Sequence, residues 1–381
     1  MKRIATAALA AVALTGLAAM PANASVGRTP RACPQANGRV DAVLVNNGTA
    51  YLAGAFTSLT DRDGTTRTRN RLAAVDTTTC SLTSWSPNAN GEVLSMAVSG
   101  STLYVGGDFT TVNGQASPRL AALDTGSGAV RGSLPAPDRT VRTLAVSGTR
   151  LYAGGDFTHV GSASRSKVAA VLMSSGALDQ GWNPKASHGK VTALHPAADG
   201  ATIYVGGSFT SLGGNSAAQY LAAVNASTGA VDTRFLPRPD SNVLAITADS
   251  RGVYVGLGGS GGHLGIWNLN GSLQRPIYQT DGGVQAVTVD GNSLYAGGHF
   301  GAYCVGGTGA GKPFICDNPL SRRKVFEVAL DTGALTSWAP VLNSAHGVFG
   351  LDVDPATHDL WMGGDFTTLD GSPRARVAVL S

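Results

Sequence analysis

One eight-residue phrase returns along the whole chain and leaves few folds open to it. Its pattern is an apolar residue, an aromatic, two small or apolar residues, glycine, a variable residue and Phe-Thr. It reads LYVGGDFT from Leu103, AYLAGAFT from Ala50, LYAGGDFT from Leu151, IYVGGSFT from Ile203, LYAGGHFG from Leu294 and LWMGGDFT from Leu360, with a worn copy, VYVGLGGS, from Val253. The aromatics that set the register are Tyr51, Tyr104, Tyr152, Tyr204, Tyr254, Tyr295 and Trp361, which lie 53, 48, 52, 50, 41 and 66 residues apart. A unit of this size cannot bury its apolar faces alone, so its copies must stack on one another. A period near 50 suits four strands per unit.

Each unit reads as a hairpin followed by two further strands. Val93 to Val98 alternates, a Ser-Gly turn follows, and then comes the LYVGGDFT strand. Arg119 to Asp124 reads as the third strand, a Thr-Gly turn such as Asp331-Thr332-Gly333 ends it, and an outer segment often closes on Trp-x-Pro. Those copies are Trp85 with Pro87, Trp182 with Pro184 and Trp338 with Pro340, and proline is tolerated on an unpaired edge. Paired glycines suit a strand where backbones crowd, or a bulge. With 51 Gly and only two Glu, Glu92 and Glu327, the chain lacks helix formers for exposed faces.

Seven copies predict an all-β fold, a seven-bladed β-propeller over residues 25–381. The blades fall at 38–89, 90–138, 139–187, 188–240, 241–280, 281–345 and 346–381, the last completed by 25–37. The final unit stops at its third strand, and Ala32-Cys33-Pro34 stands before Val40 as Pro87 stands before Val93. Residues 28–36 are therefore expected as an outer strand that pairs with 376–381 and closes the ring. Closure removes long sheet edges that invite aggregation.

The GGxFT phrase, the RLAAxD strand and the VDTRF segment at Val231 resemble the bacterial delta-60-type repeat β-propellers, a family of unknown function. Double glycine after LYV, an LDTxxG turn and a Trp are more distantly similar to kelch and galactose-oxidase blades. The resemblance covers essentially all of the chain after residue 24. It implies a secreted propeller of the kind common in high-GC bacteria, and no reaction. Blade five departs from the pattern, with Leu257, Gly258 and Gly259 at the glycine, variable and Phe positions.

The N-terminus supports export. Lys2 and Arg3 precede an apolar run from Ile4 to Ala19, and Ala22-Asn23-Ala24 offers a cleavage site, so residues 1–24 read as a signal peptide and the mature chain as beginning at Ser25. No later apolar stretch is long enough to span a membrane, no Cys follows the run to carry a lipid, and no sorting tail ends the chain. A secreted, extracellular monomer is expected. Without Lys2 and Arg3 the formal charge falls from +4 to +2 (26 basic against 24 acidic residues). Neither a basic cluster nor interleaved aromatics argues for nucleic acid.

The variable slot before Phe is the leading candidate for chemistry. It holds Ala55, Asp108, Asp156, Ser208, Gly258, His299 and Asp365 in blades one to seven. Asp108, Asp156, Ser208, His299 and Asp365 form either a polar rim that binds a cation or sugar hydroxyls, or strand-end caps on backbone N–H groups, and the capping reading is favoured. Asp61-Arg62-Asp63-Gly64 reads as a polar turn, since the ligands of a calcium loop are incomplete. Gly306 to Lys312 lacks the Ser or Thr of a phosphate loop, Pro313 standing there. No nucleophile elbow appears, and the His residues are scattered, so no metal, cofactor or catalytic residue is assigned. Cys304 is expected to join Cys316 and, by elimination, Cys33 to join Cys80, although those two positions could fall toward opposite faces. Trp85, Trp182, Trp338 and Trp361, with Phe109, Phe157, Phe209 and Phe366, recur at fixed strand sites and read as packing between blades. Trp267 is the better candidate for an exposed aromatic.

These features favour a non-catalytic binding module for envelope glycan or an exported protein. An enzyme acting on a sugar or other small molecule at the axial mouth competes with it, as does a purely structural surface protein. Convergence of several titratable groups on the axis would favour catalysis.

Overall fold

The hairpin encoded by the repeat forms wherever the repeat occurs. The computed structural model describes residues 26–259, 261–274, 278–304, 307–308, 315–316 and 318–381. The signal-peptide reading over 1–24 and most of Gly306 to Lys312 lie outside them. First strands run over Val40–Asn46, Val93–Ser99, Val141–Ser147, Val191–Pro196, Val243–Ala248, Val284–Asp290 and Val348–Val353. Each pairs antiparallel with the strand of the repeated phrase, Thr102–Gly107 in the second unit, which pairs in turn with a third strand, there Leu120–Asp124. The described residues are all-β, with no helix among them and no sheet that closes on itself.

The second and third strands are buried on both faces because the sheets pack face to face. The apolar clusters accordingly lie between successive units. Tyr51, Leu72 and Trp85 of the first pack on Val93, Leu103 and Phe109 of the second. Leu52, Phe56 and Val75 of the first also pack on Trp361, Val377 and Val379 of the last. Burying one such side chain contributes about 1.5–3 kcal/mol, so these seams hold the fold. All four Trp of the packing set and their Phe counterparts are buried as expected, and so is Trp267, at 2% exposed, which removes it as an exposed aromatic.

The two glycines of the phrase do separate jobs. A Cβ on Gly155 would overlap the Thr140 carbonyl oxygen where the first strand begins, whereas one on Gly154 would meet the side chains of Val191, in the next unit, and Thr143. Backbone cannot retreat as a side chain can. Gly155→Ala is expected to cost about 3 kcal/mol and Gly154→Ala about 1 kcal/mol, the two ends of the overpacking range. Urea unfolding of both variants checks this, and equal losses would contradict it.

The fourth strand is much shorter than the repeat suggests. It is the pair Ser81–Leu82 or Ala334–Leu335 in two units, a single bridge at Val130, Leu178 or Val231 in three others, and in the fifth a bridge at Leu273 followed by Tyr278–Thr280 paired with Gly262–Leu264. The chain then leaves the sheet so that Trp85 and Trp182 can stack edge-on against Tyr51 and Tyr152, 5.2 and 5.1 Å between ring centres. Their indole N–H groups donate to Asp124 and Asn225 carbonyls of the following unit at 3.0 and 3.1 Å.

At the N-terminus, Gly27 N–H donates to Ser381 O and Arg31 N–H to Val379 O, both at 2.9 Å, around a bridge from Pro30 to Leu380. The single strand expected over 28–36 is broken, because Pro30 and Pro34 bring no N–H. Gln35–Ala36 pairs with Ser58–Thr60 of the first unit, while the Ala36 N–H still donates to Ala375 O at 3.0 Å. Both cysteine pairs are joined, Cys33 to Cys80 at 4.9 Å between Cα atoms and Cys304 to Cys316 at 5.2 Å. Cys80 reaches Cys33 from a left-handed turn, φ 55°, so the feared opposition of faces does not arise.

Candidate functional site at the strand-start end

Every first strand carries a bulge after its opening valine, between Val40 and Ala42 in the first unit and at the matching place in all the others. A bulge inserts one residue and re-aims its side chain. The inserted residues are Asp41, Leu94, Arg142, Thr192, Leu244, Gln285 and Phe349, and all of them line one cavity of about 220 Å³ bounded by the first strands of every unit. The sequence reading missed this set. Its trace was there: alternation slips by one residue after each opening valine.

Asp41 is the one carboxylate of the set. Burial pushes it up to about 6, against the pull of Arg39, whose Nε donates to Oδ1 at 2.6 Å. Arg39 also lies 5.3 Å from the Phe349 ring centre and 3.5 Å from Glu92.

The variable slot occupies one backbone position throughout. Its N–H donates to the carbonyl of Arg39, Glu92, Thr140, Lys190, Asn242, Gly283 or Gly347 at 2.8–3.3 Å, so the slot residues border the strand-start end. The shared capping role holds for only some of them. Asp365 accepts from His346 N and Gly347 N, both at 3.1 Å, and Ser208 Oγ accepts from Lys190 N at 3.1 Å. Burial works against the Asp365 charge, but Ser344, His346 and the Gly347 N–H hold it below the usual range.

Asp156 and Asp108 correct the capping reading, because neighbouring side chains reach them first. Arg142 binds Asp156 through Nε and Nη2 at 2.8 and 2.6 Å. Burial again opposes the charge, and Arg142 outweighs it, holding Asp156 below the usual range. Asp108 accepts from Thr140 Oγ1 at 3.1 Å and lies 3.8 Å from Arg119. His299 is exposed.

A second basic feature was hidden in the RLAA phrase. Arg119 reads as the start of a strand, yet it precedes the strand with left-handed φ, as do Arg71, Lys167, Tyr220, Lys324 and Arg376, at 62–78°. Each N–H turns back onto the Phe carbonyl of its own unit at 2.8–3.1 Å. Such backbone costs a non-glycine residue on the order of 1 kcal/mol or more. It sets the long side chain beside the slot: Lys167 Nζ donates to Asp156 O at 2.9 Å, and Arg71 Nη1 to Ala55 O at 2.9 Å.

Three of the candidate residues come together. Asp108, Asp156 and Ser208 share a cavity of about 580 Å³ with Arg119, Arg139, Thr140, Lys167, Gly189 and Lys190. Asp365 and His299 are not in its lining. A cavity of about 540 Å³, lined by Tyr204, Phe235, Asp232 and Leu269 among others, contains none of the candidates. Asp61 and Asp63 form the expected turn, closed by Gly64 N–H on Asp61 O at 2.9 Å and crossed by Arg67. Among the described residues no group of three or more His, Cys, Asp or Glu side chains could hold a metal ion, and no helix is long and apolar enough to cross a membrane.

Face-packed antiparallel sheets whose first strands jointly bound one cavity define a β-propeller. Solved structures agree. The chain is similar to the WD40 β-propeller domain of Doa1, at 11% identity and TM-score 0.59 over 93% of this chain and 97% of that one. It is also similar to the computationally designed Ika8 protein, at 12% identity and TM-score 0.54 over 91% and 98%. At such identities the likeness concerns the fold alone. No protein-family model and no curated protein matches the chain.

Proposed function

We propose that this β-propeller is an exported, seven-bladed binding module of the delta-60 type, closed into a ring by its N-terminal segment, that engages envelope glycan or another exported protein through the strand-start end. The observation that carries the reading is the joining of Asp108, Asp156 and Ser208, from three successive units, in one open polar cavity. A propeller fold suits a binding or scaffold role, and the two disulfides are compatible with an oxidising compartment. Seven first strands, seam clusters between the units and the Gly27–Ser381 pairing support the blade count and closure, with boundaries as read from the repeats.

An axial enzyme has one observation in its favour, the raised Asp41 carboxyl. The only other ionisable bulge residue, Arg142, is held by Asp156. That is too few groups for an acid–base pair on the axis.

A glycan and exported-protein panel read by thermal shift tests the reading, since a ligand of the folded state raises its apparent stability. Hydrogen exchange should then show protection at the strand-start loops. Protection confined to the opposite end would overturn the assignment. N-terminal sequencing of secreted protein should begin at Ser25.

A further inference from the structure

The cavity shared by the second, third and fourth units is built to select its ligand by charge. Its lining sets four cations, Arg119, Arg139, Lys167 and Lys190, against two carboxylates, Asp108 and Asp156. The charge of Asp156 is already met by Arg142 in a two-bonded pair. Asp108 accepts from Thr140 and forms no closer ion pair among the described residues than that with Arg119, 3.8 Å away. Among the described residues neither Arg139 nor Lys190 makes a salt bridge within 4 Å, although the Lys190 charge acts on Asp156 from farther off, and Arg139 is exposed.

The remaining lining narrows the ligand further. No aromatic side chain lines the cavity, so a nucleobase or aryl ring would find no stacking surface. Asp108, with 59% of its side chain exposed, and Ser208 instead offer hydroxyl acceptors beside the cations. Asp108 would also repel a densely charged polyanion. A monoanionic group carried on a frame rich in hydroxyls answers both halves of the lining.

Resting on the reading above, we propose that this cavity binds a carboxylated sugar unit of a glycan. Arg139 and Lys190 take the carboxylate, and Asp108 and Ser208 take ring hydroxyls. Guanidinium binds carboxylate through paired, charge-assisted hydrogen bonds, and an ammonium adds a point charge.

Calorimetry with trigalacturonic acid, its fully methyl-esterified form and inorganic sulfate tests this at low salt. The acid is expected to bind and to weaken as salt rises. The ester, which keeps the hydroxyls and loses the charge, should bind at least tenfold more weakly. Arg139→Ala with Lys190→Ala should weaken the acid at least tenfold while the melting temperature stays put, and Lys190→Arg should retain it. Ester binding equal to the acid, full displacement of the trimer by equimolar sulfate, or an unaffected double variant would each overturn the assignment. If the trimer fails to bind while another glycan or protein protects the strand-start loops, the carboxylated-sugar inference falls and the binding-module reading stands. If no ligand protects those loops, both fall.

Discussion

Deleting residues 26–36 is expected to lower the melting temperature by on the order of 10 °C or more. The segment makes three kinds of attachment across the proposed closure. Its backbone meets Val379 and Ser381, Gln35–Ala36 pairs with Ser58–Thr60, and Cys33 is tied to Cys80. The disulfide spans 47 residues, and a loop of that size restricts the unfolded chain by about 4 kcal/mol. For a chain this long each kcal/mol is worth about 1–2 °C, so the disulfide and the backbone and apolar contacts together are needed for a shift of that size. Val26 would also leave its cluster with Tyr295, Trp338 and Leu380. The informative comparison is Cys33→Ala with Cys80→Ala, which removes the link and leaves the pairing. The deletion should melt well below that double variant. If the two melt together, the segment contributes nothing beyond its disulfide and the closure reading is wrong.

Asp352→Asn is expected to stabilise the protein at neutral pH and to leave it unchanged near pH 4. Asp352 lies on the last first strand and accepts the Val45 N–H of the first unit at 2.7 Å, so it sits on the same seam. Burial pushes its carboxyl up to about 6, against the pull of the Val45 and Val353 N–H groups, and Asp354 raises it further. A raised folded value means that the folded state holds the proton more tightly. Its stabilisation is therefore complete below the unfolded value near 4 and is lost as pH rises through about 6. A shift of this size corresponds to about 3 kcal/mol at most, less what partial exposure screens. Asparagine keeps an acceptor for Val45 without an ionisable proton. The whole-protein profile is not diagnostic, because burial pushes His195 down to about 4 and stability from that group rises with pH over the same window. The difference between wild type and variant isolates Asp352. A difference that stays flat from pH 4 to 7 would sink the assignment.

Legibility followed how local each feature is. The LYVGGDFT hairpin, its turns and the buried Trp and Phe sites were readable because strand alternation and turn chemistry act within a few residues. The Cys304–Cys316 pair was readable from the short insertion it brackets and Cys33–Cys80 only by elimination, and the left-handed turn at Cys80 that brings those atoms together was not readable. The outer strands were overread. Trp-x-Pro marked their place, but the pull of Trp85 toward Tyr51 and its bond to Asp124 shorten the pairing to two residues. The slot was found and its chemistry misjudged at Asp156, since Arg142 reaches it from a bulge that a period-two reading treats as noise.

By itself, the sequence determined an all-β chain of repeated units, the hairpin in each and the residues that pack between them. Those rest on periodicity, backbone freedom and apolar burial, which repeat with the unit. Tertiary structure alone decided which side chains meet. Asp108, Asp156 and Ser208 lie about 50 residues apart in the chain and share one cavity because their sheets stack face to face. Arg119 and Lys167 are set beside them by left-handed backbone, and Arg142, which holds Asp156, by a bulge, and both depend on how one strand crowds the next.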